Sequence, residues 1–261
     1  MAGTSTVRVS GGRRTAPARR IRDILRARIL AGMYGDRPLP PEERLAADFQ
    51  TSRNVIREAL NLLRLEGLVD RIPGAGTFVV SDKAVQHLDR LRGLAESLDT
   101  GRDRLLNQVL LAETVPATPL VAERLALRPG EPVVALERLR LLDGEPLSLD
   151  ASYLPADIGT PLLDLDLTRN DVFVLIEREL GLPLGSAAVS IEAVTADVAV
   201  AGLLRVRQGS PLLFLERLTH ADTGRPVDLE FVRYRGDRFS LSGWLHRTPV
   251  PNPHHLTLER G

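Results

Sequence analysis

The chain has 261 residues, enough for two domains with cores of their own. Its 34 basic and 34 acidic residues cancel, yet residues 1–80 carry 14 arginines against 8 acids and the remainder 20 basic residues against 26 acids, so a polyanionic partner is expected for the front part alone. The lack of cysteine excludes disulfides, thiol nucleophiles and thiolate zinc sites; no apolar run approaches the ~20 residues needed to cross a bilayer, and no apolar stretch follows Arg8, Arg13 and Arg14 as in a secretory signal, which together place the protein in the cytoplasm.

Residues 1–15, rich in Gly, Ser, Thr and Arg, read as a disordered basic tail. A first helix is expected from Ala16 to Ala31, burying Ile21, Ile24, Leu25, Ile29 and Leu30 and ending at Gly32 and Gly35. Two further helices follow at helical apolar spacing. One runs from Glu42 to Phe49 with Leu45, Ala46 and Phe49 inward, the other from Ser52 to Glu66 with Ile56, Ala59, Leu60 and Leu63 inward, and only Gln50 and Thr51 separate them. So short a connection forces a steep crossing, the geometry of a helix-turn-helix whose second helix can enter a major groove.

The second helix carries the matching chemistry. Thr51 or Ser52 can cap it, leaving its free amides turned toward a phosphate. Arg53 and Arg57 are four apart and share a face, with Asn54 beside Arg53 at the exposed tip. Arginine can grip a guanine edge or a phosphate through two bonds, and asparagine an adenine edge. Gly67 then ends the helix, and Leu68 to Ile72 with Thr77 to Val80 form a hairpin around Pro73-Gly74-Ala75-Gly76.

These residues resemble the winged domain of the GntR family of bacterial transcription regulators. The matching positions are Leu39, Pro40 and Glu42, Ser52 and Arg53, Ile56 to Leu60, Glu66 to Leu68, and Gly74 with Gly76 to Val79. The resemblance implies a winged helix-turn-helix over 16–80, with DNA contacts from Arg44, Ser52, Arg53, Asn54, Arg57 and Gly74. Three departures stand out. Glu43 occupies the place of a backbone-contacting arginine, Gln50-Thr51 replaces Gly-Val before the Ser-Arg pair, and Ala75 replaces the basic residue between the wing glycines. A weaker backbone grip or an altered operator is expected from them.

From residue 81 to 104, Leu88, Leu91, Leu94 and Leu98 keep helical spacing, so a helical connector closed by Gly101 is expected. Beyond it strands and helices alternate. Strands are expected at Leu105 to Thr114, Val133 to Leu142, Leu147 to Tyr153, Ala187 to Val198, Pro211 to Thr219, Pro226 to Arg235 and Phe239 to Ser242. Helices are expected at Pro119 to Leu127, Val172 to Leu180 and Ala199 to Leu204. Asp143-Gly144 and Asp222 with Gly224 turn two hairpins, so the fold class is α+β with an antiparallel sheet. The segments RPGEPVVALERLRLLDGEPLSLDASYLP and RQGSPLLFLERLTHADTGRPVDLEFVRYR are visibly duplicated.

The duplicated pattern resembles the UTRA domain, the effector-binding module of the HutC subfamily of GntR regulators, over about Leu88 to Arg247. It implies an effector domain at 105–247 with a chorismate-lyase-like sheet and flanking helices, followed by a Pro-rich tail at 248–261. Alternation along the strands puts Arg138 and Arg140 on one side, and Asp228, Glu230, Val232 and Tyr234 on one side. The residues alone leave open a ligand pocket or a simple Arg138–Glu230 pair across the sheet. The resemblance favours the pocket: Arg138 and Arg140 match arginines that hold an anionic group. Asp171 and Phe173 stand where relatives have a serine and a tyrosine, Asp228 where they have a glutamate, and Tyr234 is retained. An acid at 171 argues against a simple sugar phosphate and for a neutral, amine-bearing or zwitterionic effector.

The expectation is thus a regulator, acting as a homodimeric repressor on a near-palindromic operator of double-stranded DNA and controlled by a small-molecule effector. A lyase-like enzyme is the competing class, since arginines with a carboxylate such as Glu230 could hold a carboxylated substrate and move a proton. No phosphate loop, nucleophile elbow or metal-ligand spacing is present, His254 and His255 being adjacent in the tail, so no cofactor or metal is expected.

Overall fold

The computed structural model of the chain describes residues 15–35, 37–80, 83–98 and 104–244. The two expected tails outside those bounds, including His254 and His255, and the connector's Gly101 lie outside the described residues.

The front module is built on helix α1 (Thr15–Leu30), whose Ala18, Ile21, Leu25 and Ile29 form one apolar stripe. That stripe packs on α3 (Arg53–Leu65), reached through α2 (Glu42–Asp48), and Leu45, Ile56, Ala59, Leu60 and Leu63 complete the core. Ile24, expected inside, is 45% exposed. It flanks the stripe, and α3 covers only one side of α1. The turn between α2 and α3 puts Gln50 in the left-handed region (φ 48), where a side chain costs roughly 1–2 kcal/mol and glycine does not. Gln50 is the very position where the family pattern has glycine. After Gly67 the chain forms the wing, β1 (Val69–Ile72) paired antiparallel with β2 (Gly76–Val79).

The connector departs from expectation. Instead of a continuous helix it forms a strand, β3 (Ala84–His87), then a loop and the short helix α4 (Leu94–Leu98). Leu88 lies half out in solvent at 45% exposure. The strand forms because its parallel hydrogen-bonding partner, the last described strand, waits more than 150 residues further on.

The rear module begins with β4 (Leu105–Pro116), α5 (Pro119–Arg124), β5 (Pro132–Leu142) and β6 (Glu145–Pro155). Then come α6 (Ala156–Leu162) and α7 (Val172–Glu179). The pattern repeats as β7 (Leu184–Thr195), α8 (Val198–Leu204), β8 (Pro211–Ala221) and β9 (Pro226–Arg235), and β10 (Phe239–Ser242) closes on β3. All six long strands form one antiparallel sheet in the order β4-β5-β6-β9-β8-β7. That order is symmetric about the β6–β9 pairing, so the sequence duplication folds into two facing halves. The correspondence extends to detail: Thr118 and Asp197 cap α5 and α8 by accepting from Val121 and Val200, and the left-handed Ala126 and Arg205 follow the two helices.

One element, α6, had no expected counterpart. It contains Gly159 and Pro161, poor helix formers. A Cβ on Gly159 would stand 2.5 Å from the Cβ of Val134, so glycine is what lets α6 lie directly on β5.

Candidate nucleic-acid interface and effector pocket

On the front module Arg53, Asn54 and Arg57 stand exposed over the first turns of α3, and Ser52 occupies the N-cap position, though its hydroxyl makes no capping bond. Arg44 is exposed on α2, and Gly74 sits at the wing tip with φ 79. The expected contact residues therefore lie on solvent-facing parts of helix, turn and wing. The two acids of α2 engage the arginines of α3: Glu43 holds Arg53 at 2.6 Å and Glu42 holds Arg57 at 3.1 Å. The family's arginine position is thus occupied by a residue that restrains the recognition tip. Exposed pairs of this kind are worth about 0–1 kcal/mol, so a DNA phosphate or base edge can replace them.

The rear module holds the opposite arrangement. Arg138 and Arg140 of β5, Asp150 of β6, Asp228 and Glu230 of β9 and Asp171 at the start of α7 are all buried. They converge because alternate residues of neighbouring antiparallel strands share one face. Arg217 of β8 joins them, pairing with Glu230 and lying 4.5 Å over the Phe173 ring. Arg140 pairs with Asp150 at 2.5 Å and Asp171 at 2.8 Å. Arg138 is 1% exposed, yet Asp150 and Glu230 approach no nearer than 3.9 Å, and none of its three nitrogens has a hydrogen-bond partner. Thr219 Oγ1 and Asp228 Oδ1 are likewise unpartnered.

These groups surround a small cavity of about 10 Å³ lined by Arg138, Arg140, Asp171, Phe173, Asp228 and Glu230, room for about one water. Six of the seven expected effector residues meet there. Tyr234, the seventh, is buried on the same strand and stacks on Phe239 at 3.7 Å between ring centroids. Arg138 and Glu230 approach each other across β6 at 3.9 Å, beside this cavity. Next to it, a more open 240 Å³ cleft runs between the connector loop and β7, and Arg217 lines both spaces.

The connector seals the cluster. Asp171 accepts from the Ala95 amide at 2.8 Å as well as from Arg140. Gly93 lies so close that a Cβ would come within 2.4 Å of Asp171 Oδ2. The carboxylate thus bridges an arginine and a backbone amide of the connector helix.

The charges are set by burial and their neighbours. Burial pushes Asp228 up to about 7, with Glu230 adding to the effect. Burial also raises Asp150, opposed by Arg140. For Asp171 the arginines and the Ala95 amide outweigh burial and hold the carboxyl below its usual range; for Glu230, Arg217, Arg140 and Arg138 do the same. Burial and the Arg140 charge lower Arg138.

Arg217 and Asp150 were missed as site residues. The duplication pointed to them: Arg217 repeats Arg138 in the Leu-Glu-Arg-Leu run, and Asp150 repeats Glu230.

A winged helix-turn-helix joined to a duplicated antiparallel sheet around a buried polar cavity defines a two-module regulator that reads DNA and binds a small molecule. Residues 17–79 match the bacterial regulatory proteins, gntR family, and residues 102–240 match the UTRA domain. The chain belongs to the GntR family and is a DNA-binding transcription regulator with a ligand-binding UTRA domain. It is 31% identical over 229 residues to the HTH-type transcriptional regulator GmuR of Bacillus subtilis, covering 85% of this chain and 95% of that one. It is 27% identical over 228 residues to the HTH-type transcriptional repressor NagR of the same organism, covering 87% and 93%. The crystal structure of PhnF from Mycobacterium smegmatis superimposes with a TM-score of 0.63 at 25% identity, covering 87% of this chain and all of that one.

Proposed function

We propose that the protein is a homodimeric repressor whose two recognition helices read a near-palindromic operator, and whose effector enters the cluster around Arg138. Two relatives carrying the word repressor in their names, NagR and PhnF, support the direction of regulation. Self-association is supported by the sheet edges, where β7 is exposed along both faces, with Val189 and Ile191 uncovered, and β4 leaves Leu106 and Leu111 uncovered. Dimer symmetry would then be mirrored in the operator.

The observation that carries the effector reading is the Asp171 carboxylate between Arg140 and the Ala95 amide. The chain's own anion fills the place where the family pattern would put a phosphate. What remains for a ligand is the unpartnered Arg138 guanidinium on one side and Asp228 with Glu230 on the other. That combination suits a molecule with an amine and an uncharged acceptor or a carboxylate in place of a phosphate, the amine replacing the proton on Asp228. The connector from Ser81 to Arg104 transmits the event, because a ligand that displaces Asp171 also releases Ala95 and Gly93. The effector shifts operator affinity only by its preference between the two arrangements, typically about 1–3 kcal/mol.

Titration of the purified protein with amino-sugar phosphates tests the ligand class. Micromolar binding of any of them ends the reading. The same samples assayed for ligand consumption separate a sensor, which returns its ligand intact, from a lyase-like enzyme. Mapping the genomic sites occupied by the protein tests the regulator itself.

A further inference from the structure

A second cavity, far larger than the effector cluster, opens between the two modules. It measures about 800 Å³ and is walled by α1 and the end of α3 on one side, and by the α8–β8 loop and the β9–β10 turn on the other, with Lys83 between. That volume is within the range of small-molecule sites, roughly 300–1,000 Å³. The connector is tied to the rear wall: the Lys83 ammonium donates to the Gly236 carbonyl at 2.6 Å.

Seven of the lining side chains are cationic and three acidic. The acids are spent within the groove, Glu66 on Arg22 and Arg26, Asp23 on Arg22, and Asp237 on Arg235, while Arg205 reaches Glu145 outside the lining at 3.8 Å. Among the described residues, no carboxylate is within ion-pairing distance of Arg64, Lys83 or Arg207. Burial chiefly, and the nearby Arg26, lower the pKa of Lys83 against the opposing pull of Asp237 and Glu66. Leu65, 84% exposed, and Val206 supply an apolar floor beside these cations.

We propose that this groove binds a small polyphosphate anion of nucleotide size. Three unmatched cations in one cavity suit several closely spaced negative charges better than a single carboxylate, and arginine grips phosphate through paired bonds. Operator DNA is not the occupant. Arg53 begins the 13-residue α3 and Leu65 ends it, so about 18 Å of helix separates the recognition tip from the groove. The α3 C-terminus carries a partial negative charge, but Arg64 in the last turn offsets it. Because both modules contribute cations, a bound polyphosphate holds them in this arrangement and makes operator affinity responsive to it. The site is separate from the cluster around Arg138 and does not depend on what that cluster binds.

The test is equilibrium dialysis of the full chain against ATP and against inorganic pyrophosphate, without magnesium and at low salt. Both are expected to bind one saturable site per chain. The double reversal Arg64→Glu with Arg207→Glu, at two exposed positions, is expected to weaken them by about tenfold or more, as loss of charge-assisted contacts would. The same reversal at Arg128 and Arg169, exposed positions outside the groove, is expected to leave affinity unchanged. Absence of saturable binding at millimolar ligand, wild-type affinity in the groove variant, or an equal loss in the control variant would each overturn the proposal.

Discussion

The recognition tip and the effector cluster use the same chemistry, arginine against carboxylate, in opposite surroundings. At the tip, Arg53 with Glu43 and Arg57 with Glu42 are open to water, where such a pair is weak and another partner can take over. In the cluster, Arg138, Arg140 and Arg217 are enclosed with Asp150, Asp171 and Glu230, where the loss of one partner strands a charge. Solvent access, more than residue type, therefore decides which ion pairs can exchange partners and which are fixed within the fold.

That contrast can be broken at four places. The largest effect is expected from Glu230→Gln, which leaves Arg217 and Arg138 short of a negative partner. It should destabilise the effector domain by about 3–5 kcal/mol, read by denaturant unfolding, while the far-UV signature of the winged module persists. Next, Arg53→Ala should weaken specific operator binding by about 1–3 kcal/mol with no change in unfolding, measured by titration of labelled operator against scrambled DNA. An unaltered operator preference would remove Arg53 from the base-reading role.

Of comparable size is the pH response of Asp228. Its folded pKa of about 7 stands above that of an unfolded aspartate, so the protonated group supports folding at acid pH. That contribution is fully present below the unfolded value and fades as pH rises toward 7. Asp228→Asn keeps the neutral form at every pH. Relative to wild type it should gain about 1–3 kcal/mol of stability between acid and mildly alkaline solution, seen as a flatter Tm against pH curve. Parallel curves for the two proteins would contradict the assignment. The smallest effect belongs to Glu43→Ala, which frees Arg53 and removes a charge that repels phosphate. Operator affinity should rise by up to about 1 kcal/mol, more at low salt than at high.

How far the sequence revealed this molecule depended on how local each signal was. The α2–α3 pair could be read because its apolar spacing, short turn and Gly67 stop all lie within 30 residues, and the structure keeps each of them. Asp143-Gly144 was equally local, and both residues take the positive φ of a tight hairpin turn. The connector was misread because Leu88, Leu91, Leu94 and Leu98 mimic a helical stripe, while β3 is decided by a strand far along the chain. Ile24 was misplaced because periodicity locates a stripe but not its width. The polar face of the effector site was legible from strand alternation. Its closure was not, since that rests on Gly93 and Ala95 meeting Asp171 across the fold.

The pairing of β3 with β10 has an implication for synthesis. The winged module owns a complete core and can fold as soon as residue 80 clears the ribosome. The strand just behind it finds its mate only when Phe239 to Ser242 have been made. During translation, a competent DNA reader therefore emerges well before the brace that ties it to its sensor, and a message truncated upstream of Phe239 would yield a headpiece detached from metabolite control.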